Sequence, residues 1–142
     1  MYLIEKSEYI SGLVNMASSI SKNMGCSFMD ATCFKNNDFI TSFSKFYNIH
    51  KEDIKIHESS DSLEDFIKKY FGDDKTLIDG LSYWMSLKMG EVKKIYEQDD
   101  DSKLNDLLSN SGYGKMPFYI VDDIVFIEFE KGTIAFIIGN NE

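Results

Sequence analysis

The sequence predicts an α+β fold, with about four or five N-terminal helices packed on one face of a C-terminal antiparallel β-meander of about three strands, in a single domain over 1–142. Three observations predict it. Apolar residues recur at three-four spacing from Tyr9 to Leu108, the period of a helix face turned toward a core. From Pro117 the text changes to PFYIV, IVFIEFE and TIAFII, β-rich runs separated by dipeptides suited to tight turns. No repeat, low-complexity tract or proline-rich linker interrupts helices followed by sheet, and the chain holds one proline.

A first helix is expected from Ser7 or Glu8, with Tyr9, Ile10, Leu13, Val14, Ala17, Ile20 and Met24 on its core face, ending at Gly25. Asp38 is the expected N-cap of a second, which presents Phe39, Ile40, Phe43, Phe46 and Tyr47 and stops at Asn48. Asp61 or Ser62 caps a third with Leu63, Phe66, Ile67, Tyr70 and Phe71 inward, closed by Gly72. A fourth helical region is expected from Lys75 to Gln98, with Gly80 and Gly90 as possible breaks. A short fifth uses Leu104, Leu107 and Leu108. In the meander, turns at Asp122-Asp123 and Lys131-Gly132 set Glu130 opposite Thr133, Phe129 opposite Ile134 and Val121 opposite Ile124. Alternation then gathers Phe118, Ile120, Val125, Ile127, Phe129, Ile134, Phe136 and Ile138 on a wholly apolar face that meets the helices. The other face mixes Tyr119, Val121, Ile124, Phe126, Ala135 and Ile137 with Glu128 and Glu130.

Composition narrows the function. The chain of 142 residues is 43% hydrophobic and carries 15 basic against 24 acidic residues, net −9, every base being lysine. Arginine is the favoured grip on phosphate and guanine, so an acidic chain without it is ill suited to nucleic acid. No basic segment followed by an apolar run opens the sequence, and no apolar stretch has the length to span a bilayer, so a soluble cytoplasmic protein is expected. Cys26 and Cys33 are then expected as reduced, small buried hydrophobes.

Chemistry is sought next. Ser111-Gly-Tyr-Gly-Lys115 looks like a phosphate loop but leads into a strand instead of opening a helix, and reads as a connector. His50 and His57 lie seven apart on a polar connection, a spacing that makes no compact metal or acid/base pair. Trp84 reads as a core anchor, with a ligand pocket between its helix and the sheet as the alternative. No catalytic, cofactor or metal constellation emerges. Charge placement does stand out: residues 1–49 are neutral, 50–110 carry −6 and 111–142 carry −3. The structural explanation of such runs is helix capping. The functional one is a negative surface for a basic partner, formed by Asp99, Asp100, Asp101, Asp106, Tyr119, Asp122, Asp123, Phe126, Glu128 and Glu130.

A small acidic chain of this kind, ending MPFYIVDDIVFIEFEKGTIAFIIGNNE, resembles the immunity proteins of bacterial contact-dependent growth inhibition (CDI) systems. These share no universal motif, so no functional residue is carried over. The resemblance implies a cytoplasmic antidote, neither an enzyme nor a cofactor carrier. Its partner would be the cognate toxin domain of a delivered effector, commonly a nuclease, whose active site or substrate-binding surface it blocks. A nuclease presents a basic cleft to phosphate, and an inhibitor of it gains from acidity and aromatic anchors. The alternative is a small-molecule binding or hydrolytic domain using the pocket beside Trp84.

Overall fold

A computed structural model describes residues 1–21, 24–100, 102–110 and 119–141, and for 109, 110, 119 and 141 the backbone alone. Five helices are described, α1 (Ile4–Ile20), α2 (Phe39–Tyr47), α3 (Leu63–Phe71), α4 (Lys75–Met89) and α5 (Leu104–Asn110). The strands are β1 (Phe28–Phe34), β2 (Ile56–Ser59), β3 (Val92–Gln98), β4 (Tyr119–Phe129) and β5 (Gly132–Asn141), and a 3-10 turn spans Lys51–Asp53. The class is α+β as expected, but the three-strand meander is corrected: the sheet has five strands in the order β1-β5-β4-β3-β2, each neighbouring pair antiparallel.

Covering of one sheet face is corrected too. Two apolar clusters lie on opposite faces. One joins α1, α3 and α4 to Met29, Ala31, Cys33, Ile95, Val125, Ile127, Phe129, Ile134, Phe136 and Ile138. The other joins α2 and α5 to Phe34, Val121, Ile124, Phe126, Ala135 and Ile137. Both faces of the two central strands are therefore apolar, which explains why β4 and β5 read as nearly continuous hydrophobic runs.

Local chemistry fixes the helix ends. Ser62 and Asp65 form a reciprocal capping box at α3, Ser62 Oγ accepting from Asp65 N at 3.1 Å and Asp65 Oδ2 from Ser62 N at 2.9 Å. At α4 the Asp74 carboxylate accepts from the amides of Thr76 and Leu77. The helix proposed over 75–98 ends at Met89, and 92–98 is strand β3. In that segment Ile95 alone is fully buried while Lys93 and Lys94 face solvent.

The meander's turns also fall elsewhere. Asp122-Asp123 is no turn: Val121 pairs with Gly139 and Asp123 with Ile138, so Asp122 is an extra residue, a β-bulge, inside one eleven-residue strand. Opposite the bulge a Cβ on Gly139 would collide with the Ile120 carbonyl oxygen, so the close approach of the two backbones requires glycine. At the other end the turn is Glu130-Lys131, with Phe129 paired to Gly132 and Glu128 to Thr133. Gly132 opens β5 because a Cβ there would press on the Phe34 carbonyl oxygen at 3.1 Å.

The sheet edge at β1 is blunted by its own helix. Leu3 N donates to Cys33 O at 2.7 Å, Cys33 N to Ser7 Oγ at 2.8 Å and Ser11 Oγ to Ala31 O at 3.1 Å. Serines one helical turn apart thus satisfy strand groups that would otherwise offer pairing to another chain.

Candidate functional site

β2 begins and β3 ends beside the β4 bulge, and acidic residues concentrate there. β3 delivers Glu97 and Gln98, and the chain leaves it through Asp99 and Asp100. The β4 bulge delivers Asp122 and Asp123 alongside. Two adjoining clefts open there, of about 180 Å³ and 520 Å³. Their linings together hold four carboxylates, Glu97, Asp99, Asp100 and Asp123, against Lys69 and His57.

Several of these groups are held in place. His57 Nδ1 lies 2.8 Å from Asp99 Oδ1 and its Nε2 4.0 Å from Glu97, while the Asp99 amide donates to Lys55 O. Tyr70 of α3 donates its hydroxyl to Asp123 Oδ2 at 2.9 Å. Burial, followed by that bond and the carboxylate's charge, holds the Tyr70 hydroxyl well above its ordinary pKa, so it serves as a fixed donor. Lys69 Nζ sits 5.3 Å from the centre of the Tyr70 ring. Asn105 of α5 links the two acidic loops, accepting from Gln98 Nε2 at 2.6 Å and donating to Asp122 O at 2.7 Å. Asn140 of β5 donates to the Asp122 carboxylate. Among the described residues, the buried Oε1 of Gln98 has no hydrogen-bond partner. Acceptors outnumber donors at this surface.

The sequence-predicted site residues divide into several groups. Asp99, Asp100, Asp122 and Asp123 come together, and exposed Asp106 stands in the first turn of α5. Asp101 and the side chain of Tyr119 lie outside the described residues, as does the 111–115 loop. Phe126 is corrected: it is fully buried beneath α2, 5.0 Å from the Phe43 ring and 5.4 Å from Phe39, and cannot touch a partner. Glu128 and Glu130 belong elsewhere. Asp123 and Glu130 lie seven positions apart along β4 and the turn that follows it, about 23 Å. Glu128 pairs across the sheet with Lys94 on one side and Thr133 on the other. Glu130 Oε1 accepts from the Glu91 amide at 2.7 Å and fastens the β4–β5 turn to the loop after α4.

Sequence reasoning missed Glu97, Gln98, Tyr70 and Lys69, which join the cluster by topology. Glu97 and Gln98 fall in the helical region expected over 75–98, and Tyr70 on the inward face expected for α3. Tyr70 is indeed buried, yet its hydroxyl reaches the cluster edge. His57 falls on β2 at the sheet edge and not in an irregular connection.

Trp84 is also corrected. It is 45% exposed, and the space between α4 and the sheet is filled by Ile78, Leu81, Met85 and Met89 in the main cluster. The groove beside Trp84 lies between α4 and α1, with a volume of about 270 Å³. Both cysteines are free. Burial pushes the Cys33 thiol up to about 12, and burial with the Asp122 charge pushes Cys26 to about 11, so near neutral pH both are protonated and poor nucleophiles. Among the described residues no group of three or more His, Cys, Asp or Glu side chains is placed to hold a metal ion, and no helix is long and apolar enough to cross a membrane.

Comparisons with known proteins bring no relative: no family model, no curated protein and no solved structure matches this chain.

Proposed function

We propose that the chain is an immunity protein that binds a cognate bacterial toxin domain and neutralises it by covering a basic active-site or substrate-binding surface. One observation carries the reading. Where β2 and β3 meet the β4 bulge, Glu97, Asp99, Asp100 and Asp123 offer a surplus of carboxylate acceptors over the basic side chains of Lys69 and His57. A surface of this kind is completed by lysine or arginine, side chains that carry only donors and a positive charge. A nuclease cleft is lined with both. The acids are held by Tyr70, His57, Asn105 and Asn140 before any partner arrives, which lowers the ordering cost of association.

The resemblance of the β4–β5 segment to CDI immunity proteins supplies the biological class, and the charge supplies the mode. The test is co-expression with the product of the adjacent gene. Protection of the cells and recovery of a one-to-one complex support the reading, whereas unprotected cells and no complex refute it.

A further inference from the structure

The groove between α1 and α4 is apolar and open. Met16 and Ile20 of α1 are 51% and 60% exposed, and on α4 Tyr83, Trp84 and Leu87 are 60%, 45% and 55% exposed. Gly80 is part of the floor, where an added Cβ would meet nothing within 4 Å. Five large side chains, each about half exposed at roughly 200 Å² apiece, make an apolar patch on the order of 500 Å². That is at the upper end of what a monomer shows. With a polar rim it approaches the roughly 800 Å² per partner of a standard interface.

Charge selects the occupant. The chain carries −9 overall, yet α1 contains Glu5, Lys6 and Glu8, and α4 contains Lys75, Asp79 and Lys88, so the two helices together are neutral, and Asp74 at the α4 N-terminus is the one acid among the described residues lining the groove. Two copies of an acidic protein repel through their acidic surfaces, and on this face one copy can meet another with little repulsion. A two-fold axis would set the groove of one copy, lined by Ile20, Gly80 and Trp84, against the same groove of the other. We propose that α1 and α4 form a two-fold homodimer interface. None of the residues lining the groove belongs to the acidic sheet end, so a dimer leaves both acidic surfaces free. The inference does not rest on the immunity reading.

The test is sedimentation of the full chain over a concentration series, in about 0.05 M and about 0.5 M salt. The expected result is a particle of twice the 16.4 kDa chain mass, with an affinity unchanged or raised by salt. Two variants locate the face. Ile20→Ser with Trp84→Ser removes projections without adding charge, and should weaken self-association at least a hundredfold. Gly80→Leu fills the floor with a better helix former, and should raise the melting temperature of the monomer while weakening the dimer. A monomer at every concentration overturns the proposal, as does a dimer that both variants leave intact.

Discussion

Phe126 offers the sharpest separation between a residue that holds the fold and one that meets a partner. Its ring is fully buried on the α2 side of the sheet, with Phe43 edge-on at 5.0 Å and Phe39 tilted at 5.4 Å. Phe126→Ala removes roughly 150–200 Å² of buried apolar surface, about 4–5 kcal/mol at 25 cal/mol/Å². A denatured chain that already hides part of the ring reduces this to about 3–4 kcal/mol, within the range for buried aromatic truncations. Domains of this size have total stabilities of about 5–15 kcal/mol, so the variant should fold but melt early. Urea unfolding followed by circular dichroism measures the loss from the shift in midpoint at constant slope. Phe126→Leu, which keeps most of the volume, should lose about 1–1.5 kcal/mol. A loss below about 1 kcal/mol for alanine would refute the placement of this ring in the core.

Three further outcomes follow from the packing and the titrating groups. Gly139→Ala sets a methyl against the Ile120 carbonyl opposite the bulge, and is expected to cost more than about 2 kcal/mol in the same unfolding assay, since strand backbones leave no side chain to move aside. Ser62→Ala removes half of the capping box at α3 and should cost about 1 kcal/mol, with the loss recovered largely by Ser62→Asp. The Cys33 thiol, held at about 12 in the fold against about 8.5 unfolded, stays protonated where the unfolded thiol ionises. Its contribution is therefore complete below pH of about 8.5 and is lost as pH rises toward 12, by up to about 1.4 kcal/mol per pH unit. Tyr47 and Tyr70, raised chiefly by burial, steepen the decline above pH of about 10. Urea midpoints between these pH values should fall, and Cys33→Ala should flatten the first part of the decline; midpoints that stay level would contradict the burial of the thiol.

Much of the fold is legible in the sequence where a local signal decides it. Helix α3 reads from a cap at Asp61 or Ser62 and its Leu63-Phe66-Ile67-Tyr70 stripe, and α2 from phenylalanines at helical spacing stopped by Asn48. The face sorting of β4 and β5 was legible although their pairing was not. The expected register set Glu130 opposite Thr133, and the real one sets Glu128 there, a two-residue shift that leaves every side chain on its own face. The bulge at Asp122 likewise keeps Val121 and Ile124 on the same face, as the expected turn does, whereas Ile120, expected on the face that meets the helices, is 43% exposed and Phe118 lies outside the described residues.

What escaped the sequence is set by distant partners. In β1 the inward residues are Met29, Ala31 and Cys33, two of them small, a faint alternation beside the phenylalanine runs. β2 has four residues, and in β3 Val92 is followed by two exposed lysines that prolong the charge pattern of α4. The candidate site suffered the same limit. Asp99, Asp100 and Asp123 are visible as acid runs, but Phe126 reads as an exposed anchor because a second helical layer over that face leaves no trace in the strand itself. Only the sheet order brings Glu97, Tyr70 and the bulge together.

The central claim is that the acidic sheet end steers and holds a basic partner. Its most direct test is the association rate with the product of the adjacent gene, measured by stopped flow as ionic strength is raised. The account predicts a rate that falls at least about tenfold between about 0.05 M and about 0.5 M salt, with both rate and salt dependence reduced in the Asp99→Asn, Asp100→Asn, Asp123→Asn triple variant. A rate indifferent to salt and equal in the triple variant would contradict it.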